Sequence, residues 1–157
     1  VAVFLEAEEV SRIIRTEDCG RHASIVAAYP EVRKALFERQ RRFRKSPGLI
    51  ADGRDMGTVV FPDAKLKVYL TANADVRAER RYKQLKEQGI SVNLAQLSAD
   101  IAERDIRDSE RETSPLRPAD DAIIIDTTDV TIQQVVAHVG KLVQETFDSI
   151  PKFPAES

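Results

Sequence analysis

Apolar and polar positions along this chain switch repeatedly between a strand-like and a helical period. Val1-Ala-Val-Phe-Leu5 reads as an opening strand, and Val10–Arg15 has enough strand character to pair with it across Glu6–Glu9. Thr16 is a candidate N-cap, with Glu17 and Asp18 at the positive end of a helix running to about Ala28. Pro30 suits the first turn of a second helix that reaches roughly Arg44, with Val32, Leu36 and Phe43 on one stripe. Gly48–Asp52 is a short apolar run ending on a carboxylate, the pattern of a buried parallel strand, and Lys65–Leu70 predicts another. Asn73 or Thr71 caps a helix to about Gln88, which Gly89 ends at C′. A further helix spans about Asn93 to Glu112, with Leu94, Leu97 and Ile101 on one stripe. Ala122–Ile125, followed by Asp126, reads as one more buried strand. Thr131 and Gln134 then form a capping box that opens an amphipathic helix with Ile132, Val135, Val136, Val139, Leu142, Val143 and Phe147 turned toward a sheet. Strands alternating with helices predict the α/β class with a parallel sheet.

At 157 residues, 42% hydrophobic and 32% charged, the chain has material for one compact α/β domain with an ordinary core. A net charge of −2 argues against bulk nucleic-acid binding, so any cationic site must be local. Arg39, Arg41, Arg42, Arg44 and Lys45 form a basic helix surface that fits either a solvated face with local Glu partners or a nucleic-acid patch. The single cysteine, Cys19, with only His22 and His138 for company, supplies neither an internal disulfide nor a metal set, which suits a reducing cytoplasm. Apolar runs are far shorter than a membrane span, and the N-terminus lacks the layout of a signal peptide. Val1 opens a strand with no initiator Met and no preceding turn, so an N-terminal truncation is expected. The tail 151–157, with two prolines, is expected to fray.

Candidate chemistry concentrates around Gly53-Arg54-Asp55-Met56-Gly57, where a cation and an anion stand side by side between glycines that let the backbone turn sharply. Strand-ending Asp-Gly pairs are also ordinary turn chemistry, but a turn needs no guanidinium. Arg104, Asp108 and Arg111 fall four and then three residues apart, on one helix face. Alone, that pattern is equally a surface ion-pair ladder of little energetic weight. Two helices rich in Arg77, Arg80, Arg81, Lys83, Lys86, Arg104, Arg107 and Arg111, joined by a short turn, suit a mobile lid better than a core.

The run Leu49-Ile-Ala-Asp-Gly-Arg-Asp-Met-Gly-Thr-Val-Val-Phe-Pro-Asp63 closely resembles the corresponding segment of the bacterial cytidylate kinase family, whose members transfer the γ-phosphoryl of ATP to CMP or dCMP. The similarity extends to Ile14-Arg-Thr16, Ala23-Ser24, Val32-Arg33, Gln40-Arg41, Glu103-Arg-Asp105, Arg107-Asp108 and Arg111. It implies a parallel-sheet P-loop nucleoside-monophosphate kinase fold, N-terminally truncated. On that frame 1–30 belongs to the monophosphate-binding region, 31–78 and 113–150 to the nucleotide-binding core, 79–112 to the lid and 151–157 to a flexible tail. It further implies Mg²⁺ with ATP as donor, CMP or dCMP as acceptor, no nucleic-acid or membrane partner, a monomer at full length, and a cytoplasmic location.

By the same resemblance Arg54 holds the acceptor phosphate and Arg111, brought in by the lid, neutralises charge around it. Guanidinium groups suit that task because they bind phosphate oxygens bidentately. Ser24, Arg33 and Asp55 match the positions that read the base, and Arg104 and Asp108 those that contact the pentose. Asp52 stands where related enzymes use a carboxylate near Mg²⁺, with water as a possible intermediary.

One element of such kinases is missing. No Gly-x-x-x-x-Gly-Lys-Ser/Thr loop occurs, because the only Gly-Lys pair, Gly140-Lys141, has Val135 in place of the first glycine and Leu142 in place of the hydroxyl residue. The chain thus resembles the C-terminal two-thirds of the enzyme and is expected to be inactive alone. Two other readings stand beside it. One is a non-catalytic nucleotide-binding or regulatory module; the other is an arginine-rich RNA-binding helical protein, disfavoured by the net charge and the lack of aromatic stacking motifs.

Overall fold

A computed structural model describes residues 2–147. The expectations for the tail 151–157, and for the last residues of the 113–150 segment, fall outside the described residues. Among the described residues, internal contacts gather into two units, one within 2–56 with 102–117 and the other within 57–101 with 118–147.

The first unit begins with a hairpin in which β1 (Phe4–Leu5) pairs antiparallel with β2 (Glu8–Glu9). Glu6 and Ala7 both take positive φ, 49° and 71°, the primed turn that matches strand twist. Pairing across Glu6–Glu9 therefore arises closer to the turn than the sequence predicts. The next segment, expected to be strand, is instead a 3-10 turn over Ile13–Arg15, because the ladder ends where Val10 N–H bonds Val3 O and Ile14 N–H turns back to Val10 O. The buried Ser11 holds this corner by accepting from Val3 N–H at 2.8 Å.

Helix α1 (Glu17–Val26) starts as predicted: Thr16 Oγ1 accepts from Cys19 N–H, and Glu17 and Asp18 occupy the first turn. Helix α2 (Pro30–Arg41) has its proline at the first turn and stops three residues early. The stripe assigned to it is not a core stripe, since Leu36 is 46% and Phe43 63% exposed.

The largest correction concerns Gly48–Asp52. These residues form no strand and are exposed, Ile50 at 90%. A parallel strand exists only on a ladder, and no described segment pairs with this one.

In the second unit β3 (Val68–Thr71) pairs in parallel with β4 (Ile123–Asp126), in the register Val68 to Ile123 through Thr71 to Asp126. This is the parallel α/β pairing expected, although β3 begins three residues later than predicted and neither strand is buried as expected, with Leu70 54% and Ile124 61% exposed and only Ile125 buried. Thr127 extends the ladder, its N–H reaching Thr71 O at 2.7 Å and its hydroxyl the same oxygen at 2.9 Å. All the buried apolar side chains among the described residues belong here: Val60, Phe61, Ala78, Leu85, Leu97 and Ile125.

Helix α3 (Ala74–Glu87) is capped by Asn73 Oδ1 on Asp75 N–H. It ends in a Schellman motif, with Ile90 N–H on Leu85 O, Gly89 N–H on Lys86 O, and Gly89 at φ 75°. Helix α4 (Leu94–Glu110) follows, and within it only Leu97 of the predicted apolar stripe is fully buried.

Helix α5 (Ile132–Thr146) shows the complete reciprocal box between Thr131 and Gln134. Its apolar stripe is not covered as expected, with Ile132 80% and Val136 65% exposed. A sheet of two strands is too narrow to shield a four-turn helix. Gly140-Lys141 lies inside this helix, so it forms no phosphate loop. No described helix is long and apolar enough to cross a membrane.

The reciprocal cap yields a direct expectation. Thr131→Ala should cost about 1 kcal/mol of stability, since it removes the acceptor for Gln134 N–H. Urea unfolding of the variant against the parent measures it, and an unchanged midpoint would show the box to be energetically silent.

Candidate functional site

The side chains singled out by the sequence converge within the first unit. Asp108, brought in by α4, is 1% exposed, and its carboxylate receives four groups. Ser24 of α1 donates its hydroxyl to Asp108 Oδ1 at 2.7 Å, and Arg54 Nε donates to Oδ2 at 3.0 Å. Arg104 Nε lies 3.7 Å from Oδ2 and Arg111 Nη1 3.9 Å from Oδ1, one helical turn to either side. The predicted three-residue face is therefore real, and it faces inward rather than forming a solvated ladder.

A second pair sits beside it. Arg33 of α2 binds Asp55 through Nη2 and Ala27 O through Nη1 at 3.2 Å. Asp55 is buried, at 6% exposure, and the Arg33 side chain is largely covered. Arg54 and Asp55 are neighbours in sequence yet serve different partners, one reaching α4 and the other α2.

Four guanidinium groups thus adjoin two buried carboxylates, leaving two more cations than anions among these six side chains. Burial is the main force pulling the Arg111 pKa down from its ordinary value. The Arg33 charge adds to it, while Asp108 and Asp55 oppose it. The group remains a cation, because guanidinium starts so high. Arg111 Nη2 and Arg104 Nε are buried with no hydrogen-bond partner. A buried guanidinium N–H without a hydrogen bond, such as Arg111 Nη2, beside excess positive charge can donate to the oxygen of an anion.

Of the eight side chains proposed from sequence, seven belong to this cluster: Ser24, Arg33, Arg54, Asp55, Arg104, Asp108 and Arg111. Asp52 does not join it. It is exposed and makes none of these contacts, and no group of three or more potential metal ligands occurs among the described residues.

Sequence reading missed Ser114. Its hydroxyl accepts from Arg33 Nε at 3.1 Å and its carbonyl from Arg111 Nε at 2.6 Å. The Ser-Pro step at 114–115 signals a turn, but nothing in it says that the turn feeds two arginines.

Asp108→Asn preserves shape while deleting the charge that holds Arg54, Arg104 and Arg111. The expected loss is about 3 kcal/mol in chemical denaturation, the scale for breaking one side of a buried ion pair. A loss below about 1 kcal/mol would show that the arginines are held by other contacts.

Comparison with known proteins gives a consistent result. The family profile for cytidylate kinase matches residues 1–145. A cytidylate kinase of Aeromonas salmonicida is 58% identical over 139 residues, covering 88% of this chain and 60% of the relative. One of Nitrosococcus oceani is 61% identical over 137 residues, covering 87% and 60%. One of Pseudomonas aeruginosa is 60% identical over the same number of residues, with the same coverage. The chain thus spans about 60% of the length of the curated relatives it matches. With an inward-facing cluster of arginines on two buried aspartates and a match over nearly its whole length, the chain belongs to the cytidylate kinase family.

Proposed function

We propose that this chain carries the acceptor-nucleotide site of a phosphotransferase that moves the γ-phosphoryl of ATP to CMP or dCMP. The observation that supports the reading best is the net-positive cluster with buried, unpartnered N–H groups on Arg104 and Arg111. Phosphoryl transfer calls for positioning and charge neutralisation rather than a covalent nucleophile, so converging arginines are its expected tools.

In this reading Arg54 and Arg111 take the phosphate oxygens of the monophosphate. Arg54 has the freedom to do so, with a side chain 43% exposed and only its Nε committed to Asp108. Asp55 accepts from the exocyclic amine of cytosine and Arg33 donates to the same base edge, with Ser24 alongside. Arg104 and Asp108 meet the pentose. Uracil presents a carbonyl where cytosine presents the amine and would face the Asp55 carboxylate oxygen to oxygen, which disfavours it. The 79–112 segment serves as the lid that carries Arg104 and Arg111, its helices anchored in the apolar core by Leu85 and Leu97 rather than free of it.

The donor side is read from the family. ATP would arrive with Mg²⁺, which commonly takes one or two carboxylates together with substrate phosphates. Asp52, as a single exposed carboxylate, fits that modest requirement and could supply one ligand or a water-mediated contact. The triphosphate itself needs the glycine-rich loop that the sequence does not contain. We place the working protein in the cytoplasm as a monomer.

The 157-residue chain should therefore bind CMP in a calorimetric titration yet give no turnover in a coupled kinase assay. Robust phosphorylation of CMP by this chain would show that it holds the donor by other means. The sequence also fits a non-catalytic nucleotide-binding module. Extension to the length of its relatives separates the two, because only a kinase gains turnover.

Base reading has its own test. Asp55→Asn and Arg33→Met should each weaken CMP binding by roughly 1–3 kcal/mol, the scale of one good base contact, and narrow the preference for CMP over UMP. Equal losses for both nucleotides would assign these residues to phosphate binding or to structure instead.

A further inference from the structure

The turn after α4 holds an unusual residue. Ser114 takes φ 52°, in the left-handed region, and immediately precedes a proline. For a residue with a Cβ this conformation carries a strain cost, and glycine would adopt it more easily. Strain of this kind persists where surrounding contacts over-determine the backbone.

Those contacts lead to the site. Leu116 N–H bonds Asp108 O at 2.7 Å, fastening the far side of the turn to the helix it has just left. The Ser114 carbonyl takes Arg111 Nε and its hydroxyl takes Arg33 Nε. One residue therefore fixes the Nε of two arginines that come from different helical segments.

The consequences for the two guanidinium groups differ. Arg33 becomes fully pegged, with Nε on Ser114, Nη1 on Ala27 and Nη2 on Asp55. It can rotate about no axis without losing a bond, so the edge it offers is fixed. Arg111, held only through Nε and the longer approach to Asp108, keeps Nη2 buried and unpaired.

We infer that Ser114 is a positioning residue whose hydroxyl sets Arg33 for base discrimination while its carbonyl sets Arg111 for the phosphate. The inference rests on the reading of the site as a CMP site. Ser114 itself touches no substrate; it acts by removing the freedom of two residues that do. Pre-organised donors lose less on binding than mobile ones, which is how such a residue affects affinity.

Two substitutions separate positioning from backbone structure. Ser114→Gly deletes the hydroxyl but relieves the left-handed backbone, and Ser114→Ala deletes the hydroxyl while keeping the strain. The Kd for CMP and for UMP is measured by calorimetry on the 157-residue chain and both variants, with Tm recorded for each. Both variants should bind CMP about 3- to 10-fold more weakly, the range for the net loss of one ordinary intramolecular hydrogen bond, and narrow the CMP to UMP ratio. The glycine variant should show this with Tm unchanged or raised. A purely structural role predicts the opposite for glycine, binding as tight as the parent. That result, or equal losses for CMP and UMP in both variants, overturns the inference. Absence of any CMP binding by the unsubstituted chain would instead refute the nucleotide-site reading on which it rests.

Discussion

The order of the first unit depends on the buried carboxylate of Asp108. Among the described residues, the buried residues of that unit are all polar, Ser11, Ser24, Asp55 and Asp108; the buried apolar residues belong to the other unit. A region without an apolar core has to be held by satisfied polar contacts, and such networks are costly when any member is lost. Asp108 accepts from Ser24 and Arg54 and stands within 4 Å of Arg104 and Arg111, so it ties α1, the Arg54 segment and the end of α4 together. The same arrangement is electrostatically incomplete, because four cations share two anions. A dianionic ligand would relieve repulsion already present in the free protein, so its binding and the stability of this unit are thermodynamically linked.

The second unit is built on the opposite principle. Its short parallel ladder is extended and clamped by Thr127, and Arg80 of α3 donates to the Thr127 hydroxyl at 3.0 Å and to its carbonyl. Lys67, nearly buried, binds Asp121 at 2.8 Å and the Pro62 carbonyl at 2.6 Å. The hydrogen bond from Lys67 holds the Asp121 carboxyl below its usual range. A carboxyl whose folded pKa is depressed contributes stability above its unfolded pKa and loses that contribution as pH falls through the folded value, so this clamp weakens only in acid. At neutral pH these polar ties persist around a small apolar core.

Local chemistry was legible in the sequence wherever one residue determines the outcome. Thr16, Pro30, Asn73, Gly89 and the Thr131–Gln134 box all mark helix ends where expected, because each supplies or withholds a specific backbone partner. Periodicity served less well wherever its meaning depended on a partner elsewhere in the chain. Gly48–Asp52 has a strand's pattern but no ladder, and the stripe on α5 has a core pattern but is left largely uncovered. Likewise, the spacing of Arg104, Asp108 and Arg111 placed them on one face without saying which way it points. Ser114 was invisible for a related reason: its effect comes from a backbone conformation that serine seldom adopts.

The short segment Arg54-Asp55 shows how these limits combine in one site. Consecutive residues of opposite charge would be expected to neutralise one another in a turn. Here Arg54 crosses to Asp108 on α4 and Asp55 to Arg33 on α2, so the dipeptide forms two ion pairs with different helices. Any shift of α2 against the end of α4 must therefore strain at least one pair, and Ser114 links Arg33 to Arg111 by a second route between the same helices. A cross-braced set of this kind gives Arg33 little independent freedom, whereas Arg54 keeps its terminal nitrogens uncommitted. On the proposed reading of the site, Arg33 and Arg111 are therefore coupled through Ser114, so a base that displaces Arg33 also disturbs Arg111.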